Sequence, residues 1–245
     1  MRFALVPCAL LLAATATPAA AQPASFDRGY VHVNFGGQVG SNDLDQPGSF
    51  ELYEETALFN VRGEIGGGAL FDIGGGVRVW RQLYAGVSYS RSSDNSDASL
   101  TGMMPDPLIH DRHRPINGAV SGLEHTEHAV HLSAVWRQPV NVLERPIDVA
   151  LFVGPTFFTV DQDVVTGLTL NEPTPTIAGI TTASASESAL GFHVGADVAY
   201  RVARRVRVGL LLRYAGGSVD LPAAGQETSL DVGGFQVGAG VRVGF

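Results

Sequence analysis

ALFDIGGGVRVWRQLYAGVSYSR, residues 69–91, is the stretch whose reading decides the fold. Phe71, Ile73, Val77 and Val79 alternate with Asp72, Gly74, Gly76 and Arg78. Past Arg81 and Gln82, Leu83, Ala85, Val87 and Tyr89 alternate with Tyr84, Gly86, Ser88 and Ser90. Successive side chains of a strand point to opposite faces, so each run has one apolar face and one face of small and polar residues. The whole stretch reads as a strand, a tight turn and a second strand.

The same alternation recurs at residues 29–40, 123–137, 147–160, 190–201, 206–219 and 230–245, which makes eight strands. Connections at 80–83, 138–146 and 202–205 are short. Those at 41–68, 92–122, 161–188 and 220–229 are longer and polar, and the two kinds alternate. Short turns at one end and longer loops at the other are the pattern of an up-and-down transmembrane barrel. Eight strands would place both termini on the short-turn side, the periplasm, with the long loops extracellular. The fold class expected is all-β: a single antiparallel up-and-down transmembrane β-barrel of eight strands. Residues 50–65, with Glu51, Glu54, Glu55, Arg62 and Glu64, suit lipid poorly and are expected in the first external loop, extending the wall. A ten-stranded ring stays open, and it would need a second added strand to keep the count even.

Two features decide which face meets lipid, since a soluble barrel also alternates, with its apolar side inward. The polar face carries glycines and isolated charges, namely Asp72, Arg78, Asp148, Asp197, Arg207, Arg213 and Arg242. That suits a narrow interior, where small residues leave room for charges that pair. Trp80, Trp136, Tyr200 and Phe245 fall near one end of the strands, Tyr89 and Tyr214 nearer the other, as aromatic girdles require. After the first residues, no apolar run is long enough for a spanning helix.

Arg2, an apolar run over residues 3–16, and Ala19-Ala20-Ala21 read as a secretory signal peptide at 1–21, leaving a barrel domain at 22–245. An N-terminal anchor helix is the alternative, disfavoured by Thr15, Thr17 and Pro18. The single cysteine, Cys8, lies in that leader, so the mature chain is expected to have no disulfide and no thiolate metal site. The formal net charge of −8 argues against nucleic-acid binding, which favours basic patches. The chain ends on Val241-Arg242-Val243-Gly244-Phe245, an alternating strand closed by an aromatic residue.

These residues resemble the eight-stranded OmpA-type and OmpW-type outer-membrane barrels over nearly all of residues 26–245. The resemblance rests on the Gly-rich strand-turn-strand at 71–90, the alternation of connections and the terminal strand. It implies an integral protein of the bacterial outer membrane, with Phe245 as a signal read by the barrel-insertion machinery. It also implies passage by periplasmic chaperones, and outer-membrane lipid and lipopolysaccharide as neighbours. A monomer is expected. OmpA continues into a peptidoglycan-binding domain, whereas the sequence here reaches Phe245, so no cell-wall role is carried over.

Chemistry-bearing residues are sparse. His110, His113, His125, His128 and His131 cluster, and imidazole is a common metal ligand. Residues three apart on a strand face opposite ways, so His128 does not join His125 and His131, and no metal site is assigned. Glu127, His131 and Ser133 share a face, but as lumen residues with no G-x-S-x-G elbow they give a weak case for a lipid hydrolase or acyltransferase. Acidic stretches at 94–97 and 161–163 lack the spacing of a calcium loop and read as solvated tips. The Thr-, Pro-, Ser- and Ala-rich run at 173–188 reads as flexible.

An eight-stranded interior is just wide enough for side chains to fill it. The seven inward charges are therefore expected to form a structural network that plugs the lumen, without cofactor or catalytic role. The leading function is non-enzymatic: envelope structure or surface contact through the loops. A narrow channel or transporter for small or apolar solutes is the alternative, and a lipid-modifying enzyme the second.

Overall fold

The computed structural model describes residues 27–142, 145–172, 175–223 and 226–245. The expected leader, and Gln22 after it, lie outside the described residues. Ten strands follow in order: β1 (Gly29–Val39), β2 (Ser41–Leu52), β3 (Glu55–Gly66), β4 (Ala69–Trp80), β5 (Leu83–Pro105), β6 (His113–Val142), β7 (Arg145–Asn171), β8 (Thr176–Arg201), β9 (Val206–Ala223) and β10 (Gln226–Gly244).

β1 pairs with β10 on one side and β4 on the other. β4 pairs with β5, β5 with β6, and the ladder continues through β7, β8 and β9 to β10. Every pairing is antiparallel, and the eight strands close a ring that removes sheet edges. The ten-stranded ring does not form. β2 and β3 pair with each other, and β3 lies along the upper part of β5 from residue 58 to 63, so the hairpin extends the wall above β1 and β4.

The expected long loops are corrected by the structure. Residues 92–105, 113–122, 161–171 and 176–188 continue β5, β6, β7 and β8 as paired strands. The acidic stretches 94–97 and 161–163 lie within β5 and β7 rather than at tips, and most of the run expected to be flexible belongs to β8.

The reason for the misreading is a reversal of polarity along the wall. In the lower part of β5, Val87 and Tyr89 face out while Ser88, Ser90 and Ser92 face in. Higher up, Ala98, Leu100 and Met104 face in and Ser99 and Thr101 face out. The same exchange gathers Leu44, Phe59, Leu100, Leu123, Val160 and Leu168 into an apolar core inside the upper barrel. Below it lies a belt of outward apolar side chains, such as Val33, Val87, Leu132, Leu151, Leu210 and Val241. Trp80, Trp136, Tyr200 and Phe245 rim that belt at the turn end, and Phe35, Tyr89, Phe157, Tyr214 and Phe235 rim it at the other.

Gly122 helps to set this arrangement. It has φ +74°, and the β5–β6 register slips beside it, between Ser96 and Ala98. Below the slip odd residues of β6 face in (Leu123, His125, Glu127); above it even ones do (Ile116, Val120). A bulge with one unpaired residue re-aims the strand in this way, and glycine accepts the left-handed backbone it needs.

The upper wall also splits. The β6–β7 ladder begins at His125 and Gln162, and the β8–β9 ladder ends at Phe192 and Gly216. Among the described residues no ladder joins β2 to β10. Above the belt the barrel thus opens into three blades, β2-β3-β5-β6, β7-β8 and β9-β10, packed round the apolar core. This head crowns a narrow polar lumen.

Candidate functional site

The lumen below the head is crossed by bonded side chains in layers. Nearest the turn end, Arg207 pairs with both Asp27 and Asp148, and Arg201 lies 3.7 Å from Asp148. Arg242 grips the Asp197 carboxylate and donates to the Gly209 carbonyl at 3.0 Å. Arg137 stacks on Tyr30, 4.1 Å from its ring centre, with Tyr84 5.5 Å away.

In the middle layer Arg213 donates Nη1 to Asp72 at 2.9 Å and Nε to Gln236 at 2.6 Å. Asp72 also accepts from Asn34 at 2.8 Å and meets His32 at 3.0 Å. Gln236 passes the chain to Gln38 at 2.8 Å, and Gln38 to Glu127 at 3.1 Å. Glu127 accepts from the Gly233 backbone and lies 3.0 Å from His125, which reaches Gln162 at 2.7 Å. Buried charges and amides are tolerable only when paired in this way.

Six of the seven charges singled out from sequence, Asp72, Asp148, Asp197, Arg207, Arg213 and Arg242, face the lumen and take part in these contacts. Arg78 is exposed, at the turn-end mouth. Its position at the last rung but one of β4 puts it past the closed part of the ring. Phe245 is exposed as well, and its main chain closes the ring, with its N–H donating to Gly29 at 2.9 Å and its carbonyl accepting from Arg28 and Gly29. A Cβ at position 29 would fall 2.6 Å from the Phe245 ring, so only glycine lets the ring lie there.

Glu127, His131 and Ser133 share the inner face of β6 but do not meet as a catalytic group. His131 binds Ser90 and Thr156, each at 2.9 Å, and Glu127 turns to His125 instead. Ser133 binds His193 at 2.9 Å, and His193 returns to Thr156 at 2.9 Å. Each imidazole is held between hydroxyls, and neither has a carboxylate beside it to orient it as a base.

The clustered histidines divide. His125 and His131 are buried, and His128 faces out against Tyr89 at 2.7 Å. At the head's tip His110 Nδ1 lies 2.6 Å from Glu55, and their donors with Asp111 fall within 4.8 Å of one another. His113 turns away to the Thr56 carbonyl at 3.4 Å.

Several lumen residues were not singled out in the sequence. His32, Gln38, His193 and Gln236 sit on the polar face of their strands, so alternation places them inward but cannot say what they touch. Asp27 lies just before β1, and Arg137 closes the alternating run read at 123–137, where alternation says least.

The ring has an apolar belt and a paired polar lumen, and a family model described as outer membrane protein beta-barrel domain matches residues 8–242. The chain belongs to that family. The chain is similar to Neisserial surface protein A (15% identity, 89% of this chain and 97% of that one, TM-score 0.47). It is also similar to the Yersinia pestis attachment invasion locus protein Ail (10%, 88% and 99%, TM-score 0.34) and to the Escherichia coli outer membrane protease OmpT (10%, 90% and 98%, TM-score 0.42). No curated protein matches the chain. Family membership makes this an integral bacterial outer-membrane barrel.

Proposed function

We propose that this outer-membrane barrel is a closed, non-enzymatic protein whose work is done by its head as a surface for contact. In this reading the short turns face the periplasm, and the three-bladed head stands outside the cell above lipopolysaccharide. The observation that carries it is the filling of the barrel. A continuous chain from Asp72 through Arg213, Gln236, Gln38 and Glu127 to His125 crosses the lumen, and the apolar core of the head seals it above. A conducting pore needs a wet path, and this interior is occupied by its own side chains. The separation of Glu127, His131 and Ser133 into different contacts supports the absence of catalysis.

Single-channel recording in planar bilayers tests it, on protein first shown to be folded by its heat-modifiable gel mobility. A folded, silent barrel is the expected result. Steady discrete openings would overturn the closed-lumen reading and favour a channel. Altered envelope lipids in a deletion strain would favour an enzyme.

A further inference from the structure

Arg137 is the one lumen guanidinium of the described residues whose charge meets no carboxylate. It is 5% exposed, and its Nε and Nη1 have no hydrogen-bond partner. Its guanidinium lies over the faces of Tyr30 and Tyr84. Aromatic faces attract a cation but accept no strong hydrogen bond from its edge.

The neighbouring carboxylates are already engaged. Asp197 is gripped by Arg242, Asp72 by Arg213, His32 and Asn34, and Asp148 and Asp27 by Arg207. Arg137 opens onto a cavity of about 40 Å³, which Tyr30, Asp72, Asp197, Arg213 and Arg242 also line. Arg213 Nη2 is a third buried donor without a partner there. The cavity therefore offers three unused guanidinium N–H-bearing atoms and a surplus of one positive charge over its carboxylates.

A buried cation with no counter-charge is a poor arrangement unless something supplies that charge. Water alone can satisfy the donors but not the charge. The cavity of about 40 Å³ exceeds the roughly 10–15 Å³ that one water needs. That admits a monatomic anion with accompanying water.

We propose that this cavity is a resident site for a small monatomic anion of the chloride class, held by Arg137 and Arg213 against the floor of Tyr30. The ion completes the charge pairing of this cavity, whose three guanidinium groups meet only two carboxylates. The site stands on geometry within the barrel and does not depend on the role assigned to the head.

Crystals of the full barrel grown or soaked in bromide test it through anomalous scattering. The expected result is a bromide peak in contact with Arg137 Nε and Nη1. A map that shows surface bromides but only water at Arg137 overturns the proposal. A second measurement uses detergent-solubilised protein in chloride and in gluconate at equal ionic strength. An ion that binds only the folded barrel stabilises it by RT ln(1 + L/Kd), with L the free ion concentration, so the midpoint is expected to rise with chloride in the wild type. It is expected not to move in Arg137→Met, which keeps the stem on Tyr30. A wild-type midpoint indifferent to chloride overturns the site, and the bromide map decides even if the variant does not fold.

Discussion

Gln46, on β2, docks its side-chain amide onto the backbone of Val165 on β7: Nε2 donates to the Val165 carbonyl at 2.7 Å, and Oε1 accepts from the Val165 N–H at 3.2 Å. Both residues are buried, Gln46 at 1% exposure. One amide thus stands in for a neighbouring strand where the β6–β7 ladder has ended. Gln46→Leu would leave two buried backbone groups without partners, at about 1–3 kcal/mol each. Amide exchange at Val165 is expected to speed up, while exchange in the lower belt is unchanged. Equal protection at Val165 in the variant would show that the amide is not what seals that edge.

The Asp72–Arg213 pair holds the middle of the lumen. Arg213→Met would leave Asp72 a buried charge stripped of its main counter-ion, with an expected cost of about 3–5 kcal/mol. The variant is expected to lose its heat-modifiable form at a clearly lower temperature. The double change Asp72→Asn with Arg213→Met removes both charges, and is expected to recover part of the loss. A double variant no more stable than the single would count against charge pairing as the cause.

At the tip of the head Glu172 takes two hydrogen bonds from Arg114, at 2.7 and 3.0 Å, and one from Tyr53 at 3.1 Å. These bonds join the β2–β3 turn, β6 and the end of β7. Arg114 holds the Glu172 carboxyl below its ordinary value of 4.5, and the Leu108 N–H does the same for Asp106 from 3.8. Both folded values are depressed. Their contribution is therefore fully present above the ordinary carboxylate range and is lost as pH falls through the lowered folded values. Tip amides are expected to hold their order from neutral pH to about pH 4, then loosen in stronger acid. In Arg114→Ala, NMR titration of Glu172 is expected to move back up toward 4.5. An unmoved titration would show that Arg114 does not set it.

Gly122 sits at φ +74° with open space where a Cβ would stand, so the backbone angle alone, not crowding, demands glycine. Gly122→Val is expected to destabilise the head by about 1–2 kcal/mol, the cost of a left-handed conformation for other residues. Limited proteolysis is the readout. The head is expected to be cut faster, with the membrane-embedded part intact. Unchanged cleavage would mean that the strand reaches its reversed facing without that backbone angle.

Alternation in residues 69–91 and its echoes determined the closed eight-stranded wall, its antiparallel order and the outward apolar belt. The reason is local: with a period of two, each residue's face follows from its neighbours, and in lipid only a closed ring satisfies every backbone group. The same logic put Asp72, Arg213 and Arg242 inside. It failed above the belt. There the solvent changes from lipid to water, so the inward side must be apolar, and Ala98, Leu100 and Phe59 take the places that serines hold lower down. Read without that change of surroundings, the upper strands look like polar loops. Which cation meets which carboxylate, Gln46 reaching Val165, and Arg137 left with only tyrosine faces were decided by the tertiary structure alone. Those contacts join strands far apart in the chain, and their partners are set by register and by the curvature of the ring rather than by any pattern along one strand.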